Sequence, residues 1–393
     1  MSKLFFMLFI LIVSSISLEN SEEKQVIKVA LYDSISPSIY LLEKSLHYGW
    51  VADKEYIIEV ERIGYKDVIN GLGKYDVLVI GASGRQYFHA LNPKWKENVL
   101  RFIKNGGGYI GICGGANIAS KGYEKPRFLL DFIINKASLS LVDAYINDEQ
   151  HEEWQYLWKE GIAGKPPRGN IPIKNELLEH PIFAGKKERY ITYGGGPGLY
   201  GMEKAKGIAI YKEEPMDIAP LHYWIWLGKW IPYKKVKTDI KGFYSAAESS
   251  YGKGKVIIFG CHPEIPPRFN ASLREYFGLS IYNIPRFVYA LEGGKQENFS
   301  YNWWLIRRSI AYVCNLPLPP ANELCVFINK NGREIEAYVE NAEKVEFYVN
   351  GEFYFVDDEP PFKIELNEGK YIIKTIAYDK YGNYAWDEKE VEI

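Results

Sequence analysis

The sequence predicts an α/β domain followed by a small all-β domain. Up to residue 318, short apolar runs alternate with amphipathic segments of helical spacing, which is typical of a sheet covered by helices on both faces. After Pro320 the helical spacing disappears, and short alternating runs are separated by Asn-Gly and Gly-Asn turns. With 393 residues, of which 47% are hydrophobic, the chain is long enough to build two cores.

The first domain is predicted over residues 24–318, and its elements justify a parallel sheet. In order, we predict the strand Val26 to Asp33, the helix Pro37 to Leu46, the strand Tyr56 to Ile63, the helix Val68 to Leu72, the strand Asp76 to Ile80, the helix Pro93 to Lys104, the strand Tyr109 to Ile112 and a closing helix Trp303 to Val313. Because crossover helices join parallel strands, we predict a flavodoxin-like sheet with helices on both faces. Active sites in such sheets lie at the C-terminal ends of the strands.

A cysteine stands where the fourth predicted strand ends. Cys113 follows Gly-Tyr-Ile-Gly-Ile and precedes Gly114-Gly115 and a helix-forming segment. Glycines two residues before and after the cysteine leave room for the sharp strand-to-helix turn of a nucleophile elbow. The thiol would face the positive end of the following helix, which favours the thiolate. Cys113 is therefore the candidate nucleophile.

The candidate base is His262. A predicted strand from Gly254 ends in His262-Pro263-Glu264, so the histidine lies at the same end of the sheet as Cys113. Glu264 can accept a hydrogen bond from the imidazole and select its tautomer, although a backbone carbonyl could do the same. Cys113, His262 and Glu264 together predict a nucleophile, a base and an orienting carboxylate.

These segments resemble the class I glutamine amidotransferase-like superfamily. The branch most similar to them is the N-terminal domain of biotin–protein ligases, and the resemblance spans about residues 26–315. Besides Gly-Ile-Cys-Gly-Gly and His-Pro-Glu, it is carried by Tyr193-Gly-Gly-Gly-Pro197, His180-Pro-Ile-Phe-Ala-Gly185 and Gly252-Lys-Gly-Lys-Val256.

The resemblance implies further site residues. The N–H of Gly114 and the loop Gly81-Ala-Ser-Gly84, with Gly84 as the candidate within it, are expected to form the oxyanion hole. Asn117 stands where such proteins usually carry a glutamine that helps to hold the substrate amide. Asn117 is thus the candidate substrate-binding residue. Because this residue is asparagine and not glutamine, the sequence does not establish glutamine as the substrate.

The N-terminus predicts export. Lys3 precedes an apolar run from Leu4 to Val13 and then Ser14-Ser-Ile-Ser17, which is typical of a signal peptide over residues 1–17 cleaved after Ser17. Retention of the segment as an uncleaved anchor is the alternative. We expect a secreted or cell-surface protein.

Composition excludes some functions. The net charge of −2 and the absence of a basic stripe argue against a nucleic-acid partner. The histidines show no metal-ligand spacing, and no phosphate loop or dinucleotide motif occurs, so no metal or other cofactor is expected.

Three further features leave alternatives open. Cys261 is expected to be a core thiol, whereas Cys314 and Cys325 flank a proline-rich linker and are candidates for a disulfide. Asp143 to Leu177 is predicted to be a polar surface insertion over the site. The aromatic segment Leu221 to Tyr233 is either a packed hairpin or a rim that contacts substrate, glycan or lipid.

Residues 322–393 are predicted to form an immunoglobulin-like β-sandwich. Alternating runs occur over Glu334 to Val339, Lys344 to Val349, Tyr371 to Tyr378 and Trp386 to Ile393. They resemble bacterial Ig-like modules of surface proteins and include no ligand-binding constellation. We expect spacing or association with a cell-surface component.

Two functions remain at this point. The first is an exported cysteine hydrolase acting on an amide bond of a small molecule or peptide through Cys113, His262 and Glu264, since we find no synthetase-like segment to accept ammonia; a glutaminase is one form of it. The second is an inactive surface binding protein that keeps the amidotransferase-like fold.

Overall fold

The computed structural model describes residues 24–34, 36, 38–127, 129–147, 171–215, 221–226, 229–232, 239–265, 268–269, 286–290, 297–298, 302–380 and 384–393. The predicted signal peptide and residues 148–170 of the predicted insertion lie outside these ranges. The side chains of the aromatic segment Leu221 to Tyr233 lie outside them too.

The first part of the chain combines helices and strands. The strands are β1 (Lys24–Tyr32), β2 (Gly49–Val51), β3 (Glu55–Ile63), β4 (Val77–Ile80), β5 (Gly108–Ile112), β6 (Tyr145–Asn147), β7 (Ile171–Leu177), β8 (Glu188–Tyr193), β9 (Gly198–Tyr200), β10 (Lys206–Tyr211), β11 (Leu221–Trp226), β12 (Lys229–Pro232), β13 (Tyr244–Tyr251), β14 (Gly254–Phe259), β15 (Arg268–Phe269), β16 (Arg286–Ala290) and β17 (Glu297–Asn298). The helices are α1 (Ile39–Leu46), α2 (Tyr65–Asn70), α3 (Arg85–His89), α4 (Pro93–Lys104), α5 (Gly114–Ala119), α6 (Leu129–Ala137) and α7 (Trp303–Val313), with a 3-10 turn at Pro181–Phe183.

The main sheet has a parallel centre. Strands β3, β1, β4, β5 and β14 lie side by side in that order and pair in parallel. Counted along the chain this is the order 2-1-3-4-5, which is flavodoxin-like. The α/β fold class is confirmed.

Outside its parallel centre the sheet also has antiparallel strands, which the sequence analysis did not predict. Beyond β14 it continues with β13, β10, β7 and β8, all antiparallel to their neighbours, and β2 adds an antiparallel edge at the other side. Asp143 to Leu177 is not wholly a surface insertion, because β6 and β7 are part of this sheet. The buried side chains of Ile146, Ile173 and Leu177 explain why both ends enter it.

Alternating side chains of the central strands build two cores. In β1, Val29 and Leu31 pack into the core under α1 and α7, whereas Ala30 and Tyr32 pack into the core under α2, α4 and α5. The sheet is therefore covered by helices on both faces, as predicted. Helix α4 begins at the predicted Pro93, where the Asn92 side chain accepts the Lys94 N–H at 2.9 Å as an N-cap.

The C-terminal part is an antiparallel two-sheet sandwich. Its strands are β18 (Cys325–Asn331), β19 (Glu334–Glu340), β20 (Lys344–Val349), β21 (Glu352–Asp357), β22 (Lys363–Glu365), β23 (Lys370–Tyr378) and β24 (Tyr384–Glu392). One sheet has the order β18-β19-β22 and the other β21-β20-β23-β24. Buried Ile335 from the first and Phe347 from the second belong to one core. We refer to this part as the C-terminal sandwich; its assignment as Ig-like stays a prediction.

Helices long and apolar enough to cross a membrane are absent from the described residues. Within the same ranges, no group of three or more His, Cys, Asp or Glu side chains is arranged to hold a metal ion.

Candidate active site

Cys113 adopts a strained backbone conformation between β5 and α5. Its φ is 53° and its ψ is −105°, a region that residues other than glycine rarely occupy and that costs on the order of 1–3 kcal/mol. Its N–H donates to the Phe259 carbonyl of β14 at 2.8 Å. The side chain is only partly buried. This is the conformation of a nucleophile elbow.

Backbone contacts explain the glycines of the elbow. A Cβ on Gly114 would lie 2.1 Å from the Ser83 carbonyl, and a Cβ on Gly115 would lie 2.0 Å from the Ile80 carbonyl. Both distances are far below van der Waals contact, so only glycine fits at either position. The end of β4 therefore packs directly against the turn that presents Cys113.

His262 and Glu264 form a buried pair beyond β14. The His262 N–H donates to the Thr192 carbonyl at 2.7 Å, which holds the residue against β8. Its Nδ1 lies 2.8 Å from Glu264 Oε1, and the two residues are 3% and 0% exposed. With an ionised carboxylate as the acceptor, Nδ1 carries the proton. The predicted pairing of Glu264 with the imidazole is present in the structure.

The pKa of His262 reports the charges around the ring. Burial alone would lower this pKa, but the Glu264 carboxylate and then Cys113 outweigh burial and raise the pKa of His262 well above its usual value. Cys113 thus contributes to the electrostatic environment of the imidazole, and Nε2 has no hydrogen-bond partner among the described residues. The arrangement favours an imidazolium beside the cysteine sulfur.

Two residues that the sequence analysis did not single out hold Glu264. Ser38, at the start of α1, donates from Oγ to Glu264 Oε1 at 2.9 Å, and Trp303, at the start of α7, donates from Nε1 to the Glu264 carbonyl at 2.8 Å. Ser38 is 4% exposed. A serine before a helix is a common N-cap, so the sequence carries no signal that marks this contact.

The loop from Gly81 to Gly84 lies against the elbow. Gly114 is the first residue of α5, so its N–H has no acceptor within the helix. The Ser83 carbonyl contacts the face of Gly114 and also accepts a hydrogen bond from Gln86 Nε2. Gln86 is fully buried here, a neighbour that sequence reasoning missed. The oxyanion roles of Gly114 and Gly84 stay predictions.

Asn117 is 4% exposed within α5. Its Nδ2 donates to the Tyr87 hydroxyl at 2.9 Å and so ties α5 to α3. Among the described residues, its Oδ1 has no hydrogen-bond partner. The substrate-binding role of Asn117 stays a prediction.

The segment Tyr193-Gly-Gly-Gly-Pro197 lies on the elbow. A Cβ on Gly196 would lie 1.9 Å from the Gly260 carbonyl and 3.3 Å from Cys113 Cα. The segment contributed to the family resemblance, but its place beside Cys113 comes from the structure. His180 makes its contacts elsewhere, with its Nε2 2.8 Å from Glu248 Oε2.

None of the four cysteines forms a disulfide in the structure, so the Cys314–Cys325 disulfide that the sequence left open is not present. Cys261 is buried, as expected for a core thiol, and burial raises its pKa. Cys314 is partly covered, and burial raises its pKa to about 12.

The fold and the site define the class: an α/β protein with a flavodoxin-like sheet centre, a cysteine at a strained strand-to-helix turn and a nearby His–Glu pair. The chain belongs to the family described as biotin-protein ligase, N terminal, which matches residues 74–277, just over half of the chain. No curated protein matches it.

Solved structures of other proteins are similar to parts of the chain. A candidate GMP synthase component from Thermoplasma acidophilum has 12% identity over 74% of this chain and 94% of that chain, with a TM-score of 0.37. A glutamine amidotransferase of Thermotoga maritima has 12% identity over 61% and 77%, with a TM-score of 0.31. A β-galactosidase of Bacillus circulans sp. alkalophilus has 11% identity over 92% and 41%, with a TM-score of 0.38.

Proposed function

We propose that the protein is a cysteine-dependent hydrolase of amide bonds. Cys113 is the nucleophile, His262 the general acid and base, and Glu264 the group that orients the imidazole. The observation that carries the proposal is the buried His262–Glu264 pair, with its 2.8 Å hydrogen bond, interacting with a cysteine in a strained elbow.

The reaction follows from these positions. The Cys113 sulfur attacks the amide carbon and forms a C–S bond, and the negative charge moves to the carbonyl oxygen, held by the Gly114 N–H and the Gly81 to Gly84 loop. The imidazolium of His262 gives its proton to the leaving nitrogen as the C–N bond breaks. Water, deprotonated by His262, then cleaves the thioester and releases the acid and Cys113. The substrate class is an amide of a small molecule or peptide.

Alkylation and turnover test this function. With iodoacetamide at neutral pH, we expect Cys113 to react at least about tenfold faster than glutathione, because a cysteine beside an imidazolium is a stronger nucleophile. Cys314, read by peptide mapping in the same tube, serves as a slow internal reference. Turnover of an amide panel that includes glutamine should disappear in Cys113→Ala. If Cys113 reacts no faster than glutathione and Cys113→Ala behaves as the wild type on every amide, the enzyme proposal is wrong.

One observation favours a second candidate, a binding protein that keeps the fold without the activity. Asn117 replaces the expected glutamine, and its amide nitrogen is already engaged by Tyr87 at 2.9 Å. The same alkylation and turnover measurements separate the two functions.

Export is a proposal that rests on residues 1–17 alone. Fractionation of expressing cells would show the protein outside the cytoplasm, and deletion of these residues would retain it inside.

A further inference from the structure

The C-terminal sandwich shares its core with residues that surround Glu264. Leu41 of α1 and Trp303 of α7 belong to the same buried apolar cluster as Val326, Phe347 and the other core side chains of the sandwich. Ile265, which follows Glu264 directly, packs against this cluster. The carboxylate of the site is therefore supported from the side of the sandwich.

Tyr384, the first residue of β24, contacts both helices that hold Glu264. Its ring meets the Trp303 ring edge to face, with centroids 5.7 Å apart and an interplanar angle of 81°. Its hydroxyl accepts a hydrogen bond from Lys44 Nζ of α1 at 2.9 Å, and the same ammonium lies 4.4 Å from the ring centroid. Tyr384 therefore contacts one donor to Glu264, Trp303, directly, and it also contacts the last turn of α1, the helix that follows the other donor, Ser38.

We propose that Trp303 and Tyr384 are positioning residues for Glu264, and that the C-terminal sandwich is a working part of the active site rather than a separate spacer. The proposal rests on the cysteine-dependent function proposed above. Trp303 acts on Glu264 directly through its carbonyl, and Tyr384 acts through Trp303 and α1.

Glu264 is held at its carbonyl by Trp303 and at its carboxylate by Ser38, and between these points it reaches His262 at 2.8 Å. A shift of about 1 Å at either support would stretch that bond beyond hydrogen-bonding distance. Misplacement of that size far from the chemistry can slow a reaction by about 100-fold.

A movement of Glu264 can be measured through the pKa of His262 when the surrounding charges stay the same. The imidazole is faced by Cys113 from the elbow and by Glu264 from its own segment. Lys44 of α1 lies on Tyr384, and Arg307 of α7 interacts with Asp379 of the sandwich. Trp303→Phe changes none of these charges, so a change in the titration of His262 reports position.

The test uses the full chain and neutral substitutions. Trp303→Phe removes the indole N–H and keeps an aromatic ring, and Tyr384→Leu removes the ring that supports it. Tyr384→Phe keeps the ring and is the conservative rescue. Tyr348→Phe is the matched control, because Tyr348 lies in the same sandwich and its hydroxyl bonds to Glu346 at 3.0 Å. Circular dichroism and melting confirm that each variant folds.

We expect Trp303→Phe and Tyr384→Leu to slow iodoacetamide alkylation of Cys113 by about tenfold and to lower the pKa of His262 in imidazole NMR. Tyr384→Phe should keep most of the rate, and Tyr348→Phe and the alkylation of Cys314 should not change. If Trp303→Phe is folded and leaves both readouts at wild-type values, the positioning proposal is overturned. If wild-type Cys113 itself is no more reactive than glutathione, the hydrolase proposal fails first, and the two failures are thereby distinguished.

Discussion

At the scale of single residues, the site depends on how tightly Glu264 is held. The carboxylate is fully buried, yet Oε1 receives both the His262 Nδ1 at 2.8 Å and the Ser38 hydroxyl at 2.9 Å. A buried carboxylate is stable only when hydrogen bonds replace its lost hydration. Ser38 therefore supplies one of the hydrogen bonds that hold the buried Glu264 carboxylate in place.

Ser38→Ala tests this role. Loss of the hydroxyl leaves the buried carboxylate short of one donor, so we expect a loss of stability of about 1–3 kcal/mol and slower alkylation of Cys113. Ser45→Ala is the matched control: Ser45 is a buried serine of the same helix, and its Oγ donates to the Leu42 carbonyl at 2.7 Å without touching Glu264. Equal alkylation rates in the two variants would contradict the role of Ser38.

The raised pKa of His262 makes stability depend on pH with a definite sign. Because the folded state favours the imidazolium, its stabilisation is fully present below about pH 6.5, the usual histidine pKa, and is lost as the pH rises through the higher folded-state pKa. We expect the difference in the free energy of unfolding between the wild type and His262→Gln, measured with denaturant, to decrease from about pH 6 to about pH 9. An advantage that grows over this range would show that the imidazole is buried neutral.

At the scale of elements, the elbow is built by backbone packed on backbone. The end of β4 lies against α5 at Gly114 and Gly115, and the loop before β9 lies against the end of β14 at Gly196 and Gly260. Such contacts leave no room for a methyl group, and a well-packed interior does not yield without cost. The strain at Cys113 persists because these neighbours leave its backbone no alternative.

Gly196→Ala should therefore disturb the site more than an ordinary loop substitution. The added Cβ would lie 1.9 Å from the Gly260 carbonyl, so we expect destabilisation of about 1–3 kcal/mol together with slower alkylation of Cys113. Gly73→Ala is the control, since a Cβ there has no heavy atom within 4 Å, and its effect should stay within about 0.5 kcal/mol. Chemical unfolding gives the free energy of unfolding of each variant. Equal losses in Gly196→Ala and Gly73→Ala would mean that the loop at Gly196 can move to make room for a methyl group.

At the scale of the whole molecule, the segment just before the C-terminal sandwich is held to the α/β part by ion pairs. Glu323, 14% exposed, forms ion pairs with Lys186 and with Arg189, whose Nη1 is 3.0 Å away. Arg189 also donates to Asn302 just before α7 at 3.1 Å. Burial alone would raise the pKa of Glu323, but Lys186 and Arg189 together lower it below its usual value.

Glu323→Ala should weaken this junction. Removal of the carboxylate takes this ion-pair partner from Lys186 and Arg189. We therefore expect the free energy of unfolding to fall by about 1–3 kcal/mol at neutral pH. Because the folded-state pKa is depressed, the contribution is present above about pH 4.3, the usual glutamate value, and is lost as the pH falls through the lower folded value. Glu390→Ala, at an exposed site of β24, is the control in the same unfolding measurement. If the free energy of unfolding of Glu323→Ala stays below that of the wild type by the same amount in acid, the ion-pair explanation is wrong.

Much of the parallel sheet and of the elbow was predictable because it depends on local pattern. Helix α4 begins and ends where its periodicity and Pro93 indicate, and the glycines around Cys113 indicate the turn that the structure contains. The antiparallel half was missed, since β7 and β10 are separated by a long segment and only their pairing makes them strands of one sheet. Ser38 was missed for a similar reason: its partner Glu264 is 226 residues away.

The amino-acid sequence was enough to predict the fold class and the elbow at Cys113, and it offered Glu264 as one candidate partner of His262, because these features arise from periodicity, glycine positions and a spacing of two residues. The residues that support these features are known from the folded structure alone: Ser38, Trp303, Tyr384 and the glycine loop at Gly196. These contacts join distant parts of the chain, and their existence depends on how layers pack rather than on any local pattern.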